Sequence, residues 1–122
     1  MEKNKDYRVL EHVIDYCDRI NEYADVKSLS YEEFSNNAML VDAVCLCILQ
    51  IGELSSSLTD EFKENNSHIP WRQIKDIRNI IAHRYGTVDP EIIWEVITDD
   101  IPVLRNDCQS LIETIADYDM DI

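Results

Sequence analysis

Glycine and proline are scarce in this chain, which has 2 glycines and 3 prolines among its 122 residues. Tight turns and hairpins depend heavily on those two residue types. Long helices are therefore favoured over many short strands, and the length suits one domain with a real core rather than two. We predict one all-α domain over residues 1–122, an antiparallel bundle of four to five helices, with a short acidic tail from about residue 117.

Disulfide and zinc patterns are also missing from the chain. It has 4 cysteines, no two of them in a C-x-x-C pair, and three lie in apolar helical runs. This pattern predicts reduced, buried thiols in a cytoplasmic protein. No signal peptide is expected, and no apolar run reaches the roughly 20 residues of a membrane span, because Asp42 and Gln50 interrupt the run over residues 41–51. No association with a membrane is expected.

Positive charge is in short supply, with 11 basic residues against 25 acidic ones and a net charge of -14. This balance argues against a protein that holds nucleic acid by general electrostatics. The one locally basic strip falls within residues 72–84, opposed only by Asp76, and consists of Arg72, Lys75, Arg78 and Arg84. The strip is either the solvated face of an ordinary amphipathic helix or part of a phosphate site.

Apolar residues at helical spacing predict a first helix over residues 5–24. A capping-box pattern, Ser30 with Glu33, starts a second helix that is expected to run to about Leu58. Within this second helix Gly52 lowers helix stability relative to alanine, so we expect another helix to approach closely there. The adjacent Glu53 is expected to be solvated, with a pairing to Arg78 as the alternative.

In the second half of the chain, prolines mark the predicted helix boundaries. The polar stretch over residues 59–69 predicts a helix end and a loop. Asp89 as N-cap, followed by Pro90 in the first turn, starts a fourth helix. Pro102 has no N–H to donate, so the chain is expected to kink or break at residues 99–101 before a fifth helical segment.

The third predicted helix, over residues 70–86, begins on Pro70 and ends on Gly86. A glycine there is expected to take the left-handed conformation just past the helix end. Isoleucines and Trp71 recur at helical spacing and supply one face to the core. The core does not explain the polar residues at the C-terminal end of this helix, which are Arg78, Asn79, His83 and Tyr85.

Cleaving RNA without a metal needs a base for the 2′-hydroxyl, an acid for the leaving oxygen and positive charge for the phosphorane. His83 suits the base or acid role because the unperturbed pKa of histidine is about 6.5. Arg78 suits the third role because its guanidinium is always charged and fits phosphate oxygens. Asn79 would orient either group by hydrogen bonding, and Tyr85 would bind phosphate or accept a modification.

Helix geometry restricts this site. At about 100° per residue, His83 points roughly 140° away from Arg78. The two side chains converge only if the helix ends near His83, or if a second chain completes the pocket. Spacing alone also fits a structural role, with a capping histidine and a surface arginine.

Residues 78–85 have the form R-x-x-x-x-H-x-Y, and this motif resembles that of HEPN domains of the HepT type. Such domains are the toxin half of HEPN/minimal-nucleotidyltransferase modules. The resemblance covers nearly the whole chain, since it extends to Ile51-Gly52-Glu53, to Ile69-Pro70-Trp71, to Val88-Asp89 and to the run over residues 94–104.

The resemblance implies a helical bundle that pairs into a homodimer and brings two motifs into one cleft. It implies a metal-independent RNA endonuclease toxin of a type VII-like module, with Arg78 and His83 as the catalytic pair, RNA bound at the cleft and Asn79 in support. It also implies a minimal nucleotidyltransferase antitoxin as partner, which attaches AMP to Tyr85 and silences the toxin. No cofactor, metal or DNA partner is expected.

Two other hypotheses fit the sequence. In one, the chain is a non-catalytic subunit that helps a minimal nucleotidyltransferase to hold a nucleotide or substrate, and the protein alone leaves RNA intact. In the other, it is a structural dimerisation domain in which Tyr85 simply packs or caps.

Overall fold

The computed structural model describes the backbone of residues 2–120 and the side chains of residues 5–84 and 86–115. Every regular element within that backbone is helical and no strand occurs in it, so the predicted all-α class is confirmed. In chain order the elements are α1 (Glu2–Tyr23), α2 (Tyr31–Ser35), α3 (Ala38–Ser56), α4 (Asp60–Asn65), α5 (Trp71–Arg84), a 3₁₀ turn (Tyr85–Thr87), α6 (Pro90–Glu95), a π-helical segment (Val96–Asp100) and α7 (Ile101–Met120). The tail predicted from about residue 117 is therefore helical as far as Met120.

The core forms around α3, which packs against both α1 and α5, while α1 also packs against α7. Each fully buried large apolar side chain stabilises the fold by about 1.5–3 kcal/mol. The largest of them are Leu10, Ile20, Phe34, Ile51, Ile69, Ile81 and Ile93. The four cysteines are free and buried, as predicted. The position of α5, which carries the candidate motif, is thus set mainly by α3.

α3 differs from the prediction that no segment of the chain is long and apolar enough to cross a membrane. Its 19 residues are long and apolar enough, by length and composition alone, to cross a membrane. The central helix of a bundle passes the same test, because it must be apolar where other helices cover it. Its buried residues include Val44, Ile48 and Ile51, which belong to the core shared with α1 and α5.

The second predicted helix is in fact two helices. Ser30 and Glu33 form the predicted capping box, with both reciprocal hydrogen bonds at 3.1 Å, but α2 ends at Ser35. Asn37 then caps α3, its Oδ1 accepting a hydrogen bond from the Leu40 N–H at 3.1 Å. Asparagine side chains compete for nearby backbone groups, which favours caps over helix interiors. The prediction of one helix up to Leu58 was therefore wrong at the paired asparagines.

The polar stretch after α3 contains a short helix, α4, that the loop prediction missed. Thr59 caps it, its Oγ1 accepting a hydrogen bond from the Phe62 N–H at 3.2 Å. The buried carboxylate of Asp6 accepts from the Thr59 N–H at 3.1 Å and from the Thr59 hydroxyl at 3.0 Å. This pair of bonds ties α1 to the start of α4, so a contact distant in sequence stabilises the helix.

α6 begins as predicted, with Asp89 as N-cap accepting from the Glu91 N–H at 2.9 Å and Pro90 at the first position. The kink or break predicted at residues 99–101 takes the form of an interruption of the α-helix by the π-helical segment Val96–Asp100. At the end of this segment the Ile101 N–H donates to the Val96 carbonyl. A π-turn inserts one extra residue into the helix. Pro102 therefore lies in the first turn after it, where its missing N–H matters least.

Candidate functional site

The N-terminal end of α5 is held by two contacts. The Pro70 carbonyl accepts from the Ile74 N–H at 3.1 Å, so the helix begins at Trp71, one residue later than predicted. The Trp71 indole N–H donates to the Asn66 carbonyl at 3.1 Å, and its ring lies 6.3 Å from that of Phe62, centroid to centroid. These contacts fix the start of the helix that carries the motif.

The C-terminal end of α5 lies just past His83. The helix stops at Arg84, whose φ of -131° and ψ of 30° are not helical, two residues before the predicted end at Gly86. The prediction for Gly86 was wrong, because no glycine has a positive φ. The chain leaves the helix through a 3₁₀ turn, a common helix ending that does not require a left-handed residue.

Arg78 lies where α5 approaches α3 most closely. A Cβ placed on Gly52 would lie 2.5 Å from the Cγ of Arg78 and even closer to its Cβ. A side chain at position 52 would therefore displace the arginine near its root. This confirms that Gly52 allows a neighbouring helix to approach.

The guanidinium of Arg78 is held by two oxygen acceptors. Its Nη2 forms an ion pair with the Glu53 carboxylate on α3, and its Nη1 donates to the Asn79 side-chain oxygen at 3.1 Å. The pairing of Glu53 with Arg78, which the sequence left as the alternative to a solvated glutamate, is the observed one. The Arg78 side chain remains 31% exposed and that of Glu53 48%. The guanidinium has five N–H donors, so others stay free for a phosphate.

His83 is exposed, in the last turn of α5, and lies five residues after Arg78. Both residues belong to the same unbroken helix, so their side chains diverge by roughly 140°. Among the described side chains none forms a hydrogen bond with the His83 imidazole. Asn79, which contacts Arg78, is one turn before His83 and shares its face. A single chain therefore places Arg78, Asn79 and His83 in sequence around α5 without bringing the arginine and the histidine together.

The predictions for Tyr85 concern its side chain, which lies outside the described residues. Its backbone begins the 3₁₀ turn directly after α5. Position 85 is therefore at the same end of the helix as His83, two residues further along.

The basic strip of α5 is exposed beside this site. Arg72, Lys75 and Arg84 are exposed and form no ion pair with the part of the chain that the structure describes. Arg72 lies on the same side of the helix as His83, since eleven residues complete about three turns. The outer face of α5 thus carries unneutralised positive charge in a strongly acidic protein.

The cysteines offer no alternative nucleophile. Burial raises the pKa of Cys45 to about 11 and that of Cys108 to about 12, so both thiols stay protonated near neutral pH. Within the described residues, no group of three histidine, cysteine or acidic side chains is arranged to hold a metal ion. The exposed groups at the end of α5 are therefore the best candidates for chemistry.

Residues 13–111 match the model of the family described as ribonuclease HepT-like. A protein of Caldanaerobacter subterraneus, named as a candidate RNase, is 34% identical over 85% of this chain and 91% of its own length. A protein of Thermococcus cleftensis, named Probable ribonuclease HepT, is 30% identical over 88% of this chain and 94% of its own length.

A third relative is a longer protein. The Methanocaldococcus jannaschii protein named gamma-glutamylcyclotransferase and candidate RNase is 34% identical over 91% of this chain, which spans 50% of that protein's length. No solved structure matches the chain significantly.

Proposed function

Because this chain belongs to the ribonuclease HepT-like family, we propose that it is a cytoplasmic, metal-independent RNA endonuclease that acts as the toxin of a type VII-like toxin–antitoxin module. The observation that carries the proposal is the Arg78 guanidinium, held at the surface by Glu53 and Asn79 in the R-x-x-x-x-H motif of α5.

In the proposed reaction the motif residues divide the work. His83 takes the proton of the RNA 2′-hydroxyl as the 2′-oxygen attacks phosphorus, and gives it to the 5′-oxygen as the bond from phosphorus to that oxygen breaks. Arg78 stabilises the charge that develops on the phosphorane oxygens, and Asn79 keeps the guanidinium oriented. The net charge of -14 favours a small RNA footprint around this cation rather than an extended binding surface.

A second copy of the chain would supply the histidine that one helix cannot bring to its own arginine. The outward face of α3 is suited to such a partner: Met39 is 80% exposed and Leu46 58%, and both lie on the helix face that continues to Glu53 at seven-residue spacing. A shallow, mostly apolar cavity of about 460 Å³ lies beside them, between α3 and Ala82 of α5. A two-fold homodimer through this face would bring two α5 ends together.

Mixing two inactive variants tests this shared cleft. We expect Arg78→Ala and His83→Ala proteins to be inactive alone and to recover part of the wild-type RNA cleavage after they are mixed, unfolded and refolded together. In a mixed dimer the remaining Arg78 and His83 come from different chains, so recovery requires that they act across the interface. The measurement is the initial rate of cleavage in EDTA.

The matched control is the Arg78→Ala/His83→Ala double variant mixed with either single variant, which leaves no dimer with both residues and is expected to show no recovery. If the mixture of single variants also stays inactive while size-exclusion chromatography shows mixed dimers, the shared cleft is contradicted.

We further propose that a minimal nucleotidyltransferase partner transfers AMP from ATP to the Tyr85 hydroxyl, with release of pyrophosphate, and thereby blocks the cleft. A phosphate added two residues from His83 places negative charge where the RNA phosphate must bind. Intact-mass measurement after co-expression with the partner is expected to show added AMP, and Tyr85→Phe is expected to abolish that addition. Tyr31→Phe, which alters an exposed tyrosine on α2, is the control and should keep it. AMP that persists in Tyr85→Phe would contradict this assignment.

One observation weighs against cleavage and so towards a second function. The Glu53 carboxylate that orients Arg78 also competes with the scissile phosphate for it, which suits a subunit that assists a partner nucleotidyltransferase without cleaving RNA. Under this alternative the purified protein leaves RNA intact with or without metal, yet its addition increases the partner's activity.

A further inference from the structure

A second cavity lies on another flank of α5, away from the motif. It has a volume of about 150 Å³ and is bounded by α3, α5, the π-helical segment and α7. Its walls are apolar and include Ile51, Ile74, Ile77 and Leu104, and Val103 at its edge is 56% exposed. Neither Arg78 nor His83 lines it.

Three carboxylates and no basic side chain complete the lining of this cavity. Asp99, Asp100 and Asp107 form no ion pair or side-chain hydrogen bond with the described part of the chain. Burial, together with the neighbouring Asp99, raises the pKa of Asp100, as expected for a carboxylate that lacks a cationic partner. The rim is therefore a site of uncompensated negative charge around an apolar hollow.

We propose that this groove, bounded by Asp99, Asp100, Asp107 and Val103, docks a cationic amphipathic segment of a partner protein, with one large apolar side chain in the hollow and lysine or arginine side chains against the rim. The proposal does not depend on the nuclease reaction.

The volume of the cavity and the charge of its rim indicate this kind of partner. A cavity of about 150 Å³ holds one benzene-sized group, which corresponds to the side chain of a phenylalanine or leucine. A single anchor in a desolvated pocket with complementary charges around it is the usual arrangement of a binding hot spot. A second copy of this chain is proposed above to cover the outward face of α3 around Met39 and Leu46, and neither residue lines this cavity.

The probe is a synthetic helical peptide of leucine and lysine with one central phenylalanine, compared with the same peptide carrying glutamate in place of lysine. Fluorescence anisotropy with the full chain is expected to show binding of the cationic peptide only. Amide chemical shifts are expected to change chiefly in Val96–Asp100 and in residues 73–77. Asp99→Asn/Asp107→Asn is expected to weaken binding by about fivefold, through the loss of two rim charges.

The control is Asp15→Asn/Glu22→Gln, which removes two exposed carboxylates of α1 outside the groove and is expected to leave the affinity within about twofold. Val103→Lys changes an exposed residue at the edge of the groove. It is expected to weaken binding of the cationic peptide and to allow the glutamate peptide to bind. The proposal is overturned if both peptides bind equally, if the α1 control loses as much affinity as the rim variant, or if the shift changes lie elsewhere.

Discussion

Alanine at His83 is expected to lower the rate of RNA cleavage by about 10²–10⁴-fold, because the reaction then lacks its positioned proton-transfer group. Alanine at Arg78 is expected to lower it by about 10²–10³-fold, because the phosphorane loses its fixed cation. Initial rates in EDTA with purified protein measure both effects. Circular dichroism should show unchanged helix content, since neither side chain belongs to the buried core.

Matched substitutions on α1 separate a catalytic role from a general effect of charge. His12→Ala and Arg8→Ala remove one exposed imidazole and one exposed guanidinium far along the chain from the motif, and are expected to keep the wild-type rate within about twofold, as surface changes usually do. Equal losses in the α1 variants and the α5 variants would show that net charge, not the motif, controls cleavage.

Gly52→Ala is expected to destabilise the protein and to inactivate it. The new methyl group would overlap the Cβ and Cγ of Arg78, close to the backbone of α5, so the two helices must separate. Overpacking of this kind costs about 1–3 kcal/mol, which exceeds the roughly 0.8–1.0 kcal/mol that alanine contributes in a helix. The free energy of unfolding from urea denaturation and the cleavage rate should therefore both fall.

Gly86→Ala, at the second glycine of the chain, is the control. Among the described residues beyond its two chain neighbours, no atom lies within 4 Å of a Cβ placed on Gly86, and its φ is not positive. Gly86→Ala is expected to leave stability unchanged or to raise it by about 0.4–1 kcal/mol, because alanine restricts the unfolded chain. If Gly52→Ala is as stable as Gly86→Ala, the close approach of α3 and α5 at Arg78 is not what holds the site.

The features predicted correctly from the sequence are those that local chemistry determines. The capping box at Ser30, the Asp89 cap and the close approach at Gly52 each depend on one residue type with one physical advantage. The errors arose where a local choice was decided by context. Asn37 begins a new helix within a continuous apolar pattern, and α4 depends on the buried Asp6, which is distant in sequence. The interruption predicted near Pro102 occurs, but its form as a π-turn was not predicted.

The candidate site also combines features that local sequence determines with features that depend on tertiary packing. The sequence predicts Arg78 and His83 as the candidate pair and an end of their helix nearby, because spacing and helix stops are local. It left the partner of Arg78 open, since the ion pair with Glu53 requires α3 and α5 to be placed side by side. Helix geometry already indicated that Arg78 and His83 diverge around α5 in one chain, and the structure places both in one unbroken helix.

The most direct test of the proposed nuclease is the chemistry of the RNA ends that the purified protein produces in EDTA. Attack by the 2′-hydroxyl, assisted by His83 and Arg78, predicts fragments with 2′,3′-cyclic phosphate ends from the wild-type protein and none from Arg78→Ala/His83→Ala. Intact RNA in EDTA, or the same fragments from the double variant, would contradict it.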